Sequence, residues 1–195
     1  MTHAAAAEPS PPLRHTSEQY FRLVSEQVLH GDDSVELLEG VIVARSRQNP
    51  HHASGVWRAQ RALATAVGDR TVVRAQSPLI AGHHSVPEPD VAVVPGCAAD
   101  YEHAHPTTAL LVVEVADSSL LQDRLTKAAI YAAAEIPELW IVNLRDGWVE
   151  VARAPEPAGR RYTTAFVARR GERLGILALQ AVSVLVDDLL PALER

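Results

Sequence analysis

Two acidic residues, far apart in the sequence, have surroundings typical of a metal-dependent catalytic site. Glu114 interrupts the run Ala109 to Ala116, which is otherwise apolar, and a carboxylate buried in such a run needs a positive partner. Asp90 follows Pro87-Glu88-Pro89 at the start of another run rich in valine. Two carboxylates at neighbouring strand ends supply the hard oxygen ligands that Mg²⁺ and Mn²⁺ prefer.

A lysine in the next predicted helix completes this set. Lys127 lies one helical turn after Asp123, so their side chains share one face of the helix. An ammonium group there can hold a nucleophilic water or offset the charge that builds on a phosphate. Because a divalent ion also lowers the pKa of its bound water, these residues predict the hydrolysis of phosphodiester bonds.

Each residue also has a purely structural interpretation. Asp90 can be a turn residue at the start of a strand. Asp123 and Lys127 can form an ion pair on a helix surface, and Glu114 can be held by an arginine in a buried salt bridge. Only the combination of these residues favours the catalytic interpretation.

Composition and charge limit the class of protein. Of the 195 residues, 47% are hydrophobic and 22% are charged, which is typical of a soluble globular chain. We expect residues 1–15, with their alanine run and prolines, to be a flexible tail, and residues 16–195 to form a single domain. No segment has the pattern of a signal peptide or a membrane span, so the sequence predicts a cytoplasmic protein.

The charge balance bears on nucleic-acid partners. The net charge of −6 argues against tight nonspecific binding of nucleic acid. Arginines nevertheless cluster within residues 58–74 and again within residues 160–173. These clusters can form a local basic patch or belong to a solvated surface of mixed charge.

Apolar periodicity and turn residues predict the elements that position the site. Helices are predicted over 16–30, 49–67 and 120–134. Hairpins are predicted over 35–45 and 139–152, and further strands over 71–80, 91–94, 109–116, 162–168, 173–179 and 182–186. In the third helix, Leu121, Leu125, Ala128 and Ala132 have the spacing of an inner face. The order of elements predicts an α/β (α+β) fold with a mixed central sheet flanked by helices.

A series of short motifs resembles a known family. In sequence order they are Glu36-Leu37-Leu38-Glu39-Gly40, Pro89-Asp90-Val91, Val113-Glu114-Val115, Asp123 to Lys127, Tyr131, and Glu138-Leu139-Trp140-Ile141-Val142. This order resembles the Uma-two family of restriction endonucleases, within the PD-(D/E)XK nuclease superfamily. The likeness runs from about Thr16 to Tyr162.

The resemblance implies roles for particular residues. Magnesium is expected at Asp90 and Glu114, with Glu36 contributing from the early hairpin. The superfamily's usual lysine position, two residues after the second acid, holds Ala116, and the resemblance implies that Lys127 takes the lysine's place. A family histidine is matched by His52, for phosphate contact or proton transfer; the alternative is a helix-start histidine with no catalytic part.

One departure from the family and several alternatives remain. The family commonly has an aspartate where this chain has Asn143.

The first hypothesis is a Mg²⁺- or Mn²⁺-dependent endonuclease that cleaves DNA, and we expect a homodimer by analogy with nucleases that cut both strands. The second is a nuclease-fold protein that acts in binding or regulation. The third is a structural homodimer, in which Glu114 would have an arginine partner.

Overall fold

The structure is a computed structural model and describes residues 14–30, 33–45, 48–117, 121 and 123–192. Most of the predicted N-terminal tail, residues 1–13, lies outside the described residues, as does the predicted helix start at 118–120. The first described residues lie against the early hairpin, because the His15 N–H donates to the Gly40 carbonyl at 2.8 Å. No helix in the described ranges combines the length and apolarity needed to cross a bilayer.

A mixed sheet forms the centre of the fold, as the sequence predicted, and it has six strands. Its strands are β3 (Val72–Ala75), β4 (Val91–Val94), β5 (Leu111–Ala116), β6 (Glu138–Asn143), β7 (Trp148–Glu156) and β8 (Arg161–Arg169). They are hydrogen-bonded in sequence order. Only β5 and β6 run parallel; the other neighbours are antiparallel. Every residue of β4, β5 and β6 is buried, as expected for strands covered on both faces.

Two small hairpins accompany the sheet. The first joins β1 (Val35–Leu38) to β2 (Val41–Ala44), with Glu39 and Gly40 both at positive φ in the turn, a conformation that glycine adopts at low cost. The second pairs β9 (Arg173–Gly175) with β10 (Ser183–Leu185).

Helices cover both faces of the sheet. Helix α1 (Ser17–Ser25) begins at a capping box between Thr16 and Gln19 and packs Tyr20 against β1. Helix α2 (Pro50–Val67) is capped by Asn49 and buries its apolar side on the face that carries Val113 and Val115. The opposite face is covered by a π-helical turn, Asp123–Lys127, followed by α3 (Ala128–Ala133). A short α4 (Val186–Leu189) follows β10.

Two predicted elements end earlier than the sequence suggested. The first helix ends at Ser25 rather than near His30, because Gln27 adopts a left-handed φ of 58°. Val24 and Val28, predicted on its apolar face, are exposed. The strand predicted over 71–80 ends at Ala75, because Gln76 has a φ of 47° and its N–H donates to the Pro89 carbonyl.

Two further predictions need correction. Leu121 and Leu125 are exposed rather than on an inner face, because the helix opens as a π turn and directs Asp123 and Lys127 inward instead. The strand predicted over 173–179 stops at Gly175, where residues 176–182 form a turn closed by the Ile176 N–H and the Val182 carbonyl.

Candidate active site

The register of β4 and β5 brings the two predicted metal ligands together. Val91 pairs with Val113 in these antiparallel strands, so the next position places Asp90 opposite Glu114. The Asp90 N–H lies 3.4 Å from Glu114 Oε2, and the Val115 N–H donates to Asp90 Oδ2 at 2.9 Å. Both carboxyl groups are buried, with Asp90 5% and Glu114 2% exposed. The strand pairing therefore fixes two acids at one place in the sheet.

The π-helical turn brings Lys127 to the same place. Its Nζ lies 3.2 Å from Glu114 Oε1 and 3.5 Å from Glu36 Oε2. Lys127 is only 7% exposed, and Asp123 is buried beside it, so the two do not form the surface ion pair that was the structural alternative. The arginine partner considered for Glu114 is also replaced by this lysine. π-Helical turns within helices are frequent at functional sites.

Glu36 joins the cluster from the early hairpin. Its carboxylate accepts the Glu88 N–H at 3.1 Å, in the segment just before Asp90. An isolated bridge between Leu37 and Val86 ties the same two segments together. Strand β1 is thereby held against the loop that leads into β4, which explains how a residue far from Asp90 in sequence reaches Lys127.

His52 approaches Asp90 from the start of α2. The side chain of Asn49 accepts the His52 N–H at 2.8 Å, which fixes the first turn of the helix. His52 Nε2 lies 3.3 Å from Asp90 Oδ2. Its Nδ1 is buried and has no hydrogen-bond partner among the described residues, so one ring nitrogen is paired with Asp90 and the other is left unsatisfied.

Tyr131 is a site residue to which the sequence analysis gave no role, although it stands among the motifs of the family resemblance. It is fully buried, and its hydroxyl donates to Glu114 Oε1 at 2.5 Å. The signal in the sequence was its spacing, since Tyr131 follows Lys127 by four residues and shares its helix face. Gln76, whose amide lies 3.5 Å from Asp90 Oδ1, has no comparable signal in the sequence.

Burial and like charge act together on the two central acids. Burial raises the pKa of Glu114 to about 8, and Asp123 and Asp90 add to this against the opposing effects of Lys127 and Tyr131. Burial is the largest single effect and alone would raise the pKa of Asp90, but the hydrogen bond and charge of His52, the Val115 N–H and the charge of Lys127 together outweigh it and lower the pKa. At neutral pH, Asp90 is therefore ionised while Glu114 largely retains its proton.

The same charges act on the two cations of the site. Burial alone would lower the pKa of Lys127, but the carboxylates, led by Glu114 and Glu36, raise it. Burial is the largest single effect and alone would lower the pKa of His52, but the hydrogen bond and charge of Asp90, with smaller effects of Val115 and Asp123, together outweigh it and raise the pKa. The ammonium of Lys127 is consequently charged at neutral pH.

The donor chemistry of the cluster suits a hard divalent ion. Four buried carboxyl groups act on one ammonium: Glu36, Asp90, Glu114 and Asp123. Within the described ranges, no group of three or more His, Cys, Asp or Glu side chains is arranged to hold a metal alone. Mg²⁺ is commonly held by one or two carboxylates together with water and substrate phosphate, and the pair of Asp90 and Glu114 fits that mode.

Asn143 lies beside this cluster, on the neighbouring strand. It pairs with Ala116 across β5 and β6 and is fully buried. Its amide donates to Asp146 at 2.8 Å and to Glu150 at 3.0 Å, and its carbonyl accepts the Asp146 N–H. Asn143 thus fixes the turn between β6 and β7, and an aspartate could not make the two donated bonds.

Comparisons with known proteins agree with this fold. A crystal structure of "a putative nuclease belonging to DUF820" from Anabaena variabilis ATCC 29413 superposes with a TM-score of 0.68 at 14% identity, covering 89% of this chain and 96% of the other. The fold is therefore that of a nuclease-like protein. A sequence model of the Uma2 family, described as "Putative restriction endonuclease", matches residues 17–187. The chain belongs to that family; no curated protein matches it.

Proposed function

We propose that this protein is a divalent-metal-dependent endonuclease that hydrolyses phosphodiester bonds in DNA. The observation that carries the proposal is the convergence of Asp90, just before β4, Glu114 in β5 and Lys127 in the π turn into one buried cluster. Membership of a restriction endonuclease family supports the choice of reaction and substrate.

The residues take separate roles in this proposal. Asp90 and Glu114 hold Mg²⁺ or Mn²⁺, which when bound supplies a water of lowered pKa and a Lewis acid for the phosphate. Lys127 offsets the negative charge that develops on the phosphate.

The accessory residues prepare this arrangement. Glu36 and Asp123 keep Lys127 charged through their carboxylates. His52 orients Asp90 through Nε2, which lies 3.3 Å from Asp90 Oδ2.

Plasmid cleavage with Mg²⁺ or Mn²⁺ tests the proposal. The wild-type protein should convert supercoiled DNA to nicked and linear forms, and Asp90→Asn should lose this activity. Asp69→Asn is the matched control, because Asp69 is exposed and lies just beyond the end of α2, away from the cluster; it should cut like wild type. If wild type and Asp90→Asn behave alike, the catalytic assignment fails.

A second candidate function is binding of nucleic acid without cleavage. Asn143 favours it, because an amide committed to Asp146 and Glu150 stands where the family commonly has an acid. In the same assay this function would appear as retarded plasmid migration with no cleavage product. Homodimerisation and a cytoplasmic location stay predictions from the sequence.

A further inference from the structure

A pocket lies against α2, outside the buried acidic cluster. It has a volume of about 440 Å³ and lies between α2, the β9–β10 hairpin and α4. Helix α2 packs on the sheet face opposite the Glu114 side chain, so the pocket is separate from the acidic cluster. Its lining includes Trp57, Arg58, Arg61, Arg173, Ser183 and Asp188.

The pocket collects cations that have no anionic partner within the described ranges. Arg58, Arg61 and Arg173 come from two clusters that are separate in the sequence, and the fold brings them to one place. None of the three forms an ion pair with a described residue, whereas six other arginines do. Asp188 is the one acid among the described lining residues. The pocket therefore keeps a positive surplus in a chain whose net charge is −6.

An exposed aromatic ring stands beside these cations. Trp57 is 56% exposed, and the Arg61 guanidinium lies 5.2 Å from its ring centroid. Guanidinium groups bind phosphate through paired hydrogen bonds. An exposed indole offers a stacking surface to a nucleobase. The ligand that matches both features carries a phosphate and a flat aromatic ring.

We propose that this pocket binds a nucleoside phosphate, as one nucleotide of a strand that extends beyond the cleavage site. This inference rests on the proposed function for the identity of the strand. Helix α2 connects the two places, since Trp57 and Arg61 lie five and nine residues after His52. At 1.5 Å per residue that is about 8 and 14 Å along the helix axis, a span of a few nucleotides.

Fluorescence anisotropy with a labelled single-stranded oligonucleotide tests this site. The measurement is made in EDTA, so that it does not depend on cleavage. Trp57→Ala should weaken binding by roughly tenfold. Arg61→Gln should weaken it and lower the slope of log affinity against log salt by about 0.7, because the variant neutralises one phosphate fewer. The matched control is Arg22→Gln, since Arg22 is exposed on α1 and forms no ion pair with a described residue; it should leave both quantities unchanged.

Competition by a duplex and by free dAMP identifies the source of the ligand. Oligonucleotide binding that is tighter than dAMP binding and sensitive to Trp57→Ala supports a strand. If the oligonucleotide and dAMP bind with equal affinity, and Trp57→Ala weakens both, the pocket is supported and its ligand is a free nucleotide. Equal losses in Arg61→Gln and Arg22→Gln, or no effect of Trp57→Ala in a variant with unchanged circular dichroism, would overturn the inference. A protein that binds here but cuts no plasmid would contradict only the proposed function.

Discussion

Replacing Glu114 with glutamine should change how the stability of the protein depends on pH. Burial raises the pKa of Glu114 to about 8 from the ordinary 4.5. The folded protein therefore keeps a proton that the unfolded chain releases above pH 4.5, so the free energy of unfolding falls as pH rises from 4.5 to 8. From these two values, the fall between pH 5 and pH 9 is about 4 kcal/mol.

Glu114→Gln keeps the shape of the side chain and cannot titrate, so this part of the pH dependence should disappear. The free energy of unfolding is measured by urea titration in EDTA at pH 5 and pH 9. His52, whose pKa is also raised, contributes in the same direction to both proteins and cancels in the comparison. Glu102→Gln is the matched control, because Glu102 is exposed; it should behave as wild type. An equal loss of stability in Glu114→Gln and wild type would refute the reasoning.

Three further substitutions test the packing around the site, each by urea unfolding at pH 8. Lys127→Met should cost about 3–5 kcal/mol, because it leaves buried acids without their cation; a stable variant would show that the ammonium is not needed. Gly55→Ala should lower the free energy of unfolding by about 1–3 kcal/mol, because the new Cβ would lie 2.8 Å from Val115 Cγ1. An unchanged free energy of unfolding would mean that α2 can shift away from β5 at no cost. Asn143→Asp should cost about 2 kcal/mol at pH 8, because the aspartate cannot donate to Asp146 and Glu150 and adds a negative charge beside them. The measurement is repeated in acid, where the loss should shrink, and a loss independent of pH would contradict the charge argument.

The central strand and its acid could be predicted because their chemistry is local. Glu114 lies in the apolar run Ala109 to Ala116, so its carboxylate needed a cation nearby whatever the rest of the fold. The fold supplies Lys127, whose Nζ lies 3.2 Å from Glu114 Oε1. Hairpins were predictable for the same reason, because turns such as Asp146-Gly147 specify them within a few residues.

The parts that could not be predicted depend on contacts distant in sequence. The spacing of Leu121 and Leu125 suggested an inner helix face, but the π turn presents Asp123 and Lys127 to the sheet. Helical periodicity cannot reveal this change, because the turn departs from the period on which it relies. Tyr131 has an apolar ring that fits a core interpretation equally well, and only its hydrogen bond to a residue on β5 shows its role.

Binding of Mn²⁺ in the absence of DNA tests the metal site most directly. Free Mn²⁺ is measured by electron paramagnetic resonance while wild type, Asp90→Asn and Asp69→Asn are titrated. Wild type and Asp69→Asn should bind the ion alike, and their affinity should rise as pH approaches about 8, because the ion displaces the proton of Glu114. Asp90→Asn should bind far more weakly. Mn²⁺ affinity that is the same in Asp90→Asn and wild type would contradict a metal site at Asp90 and Glu114.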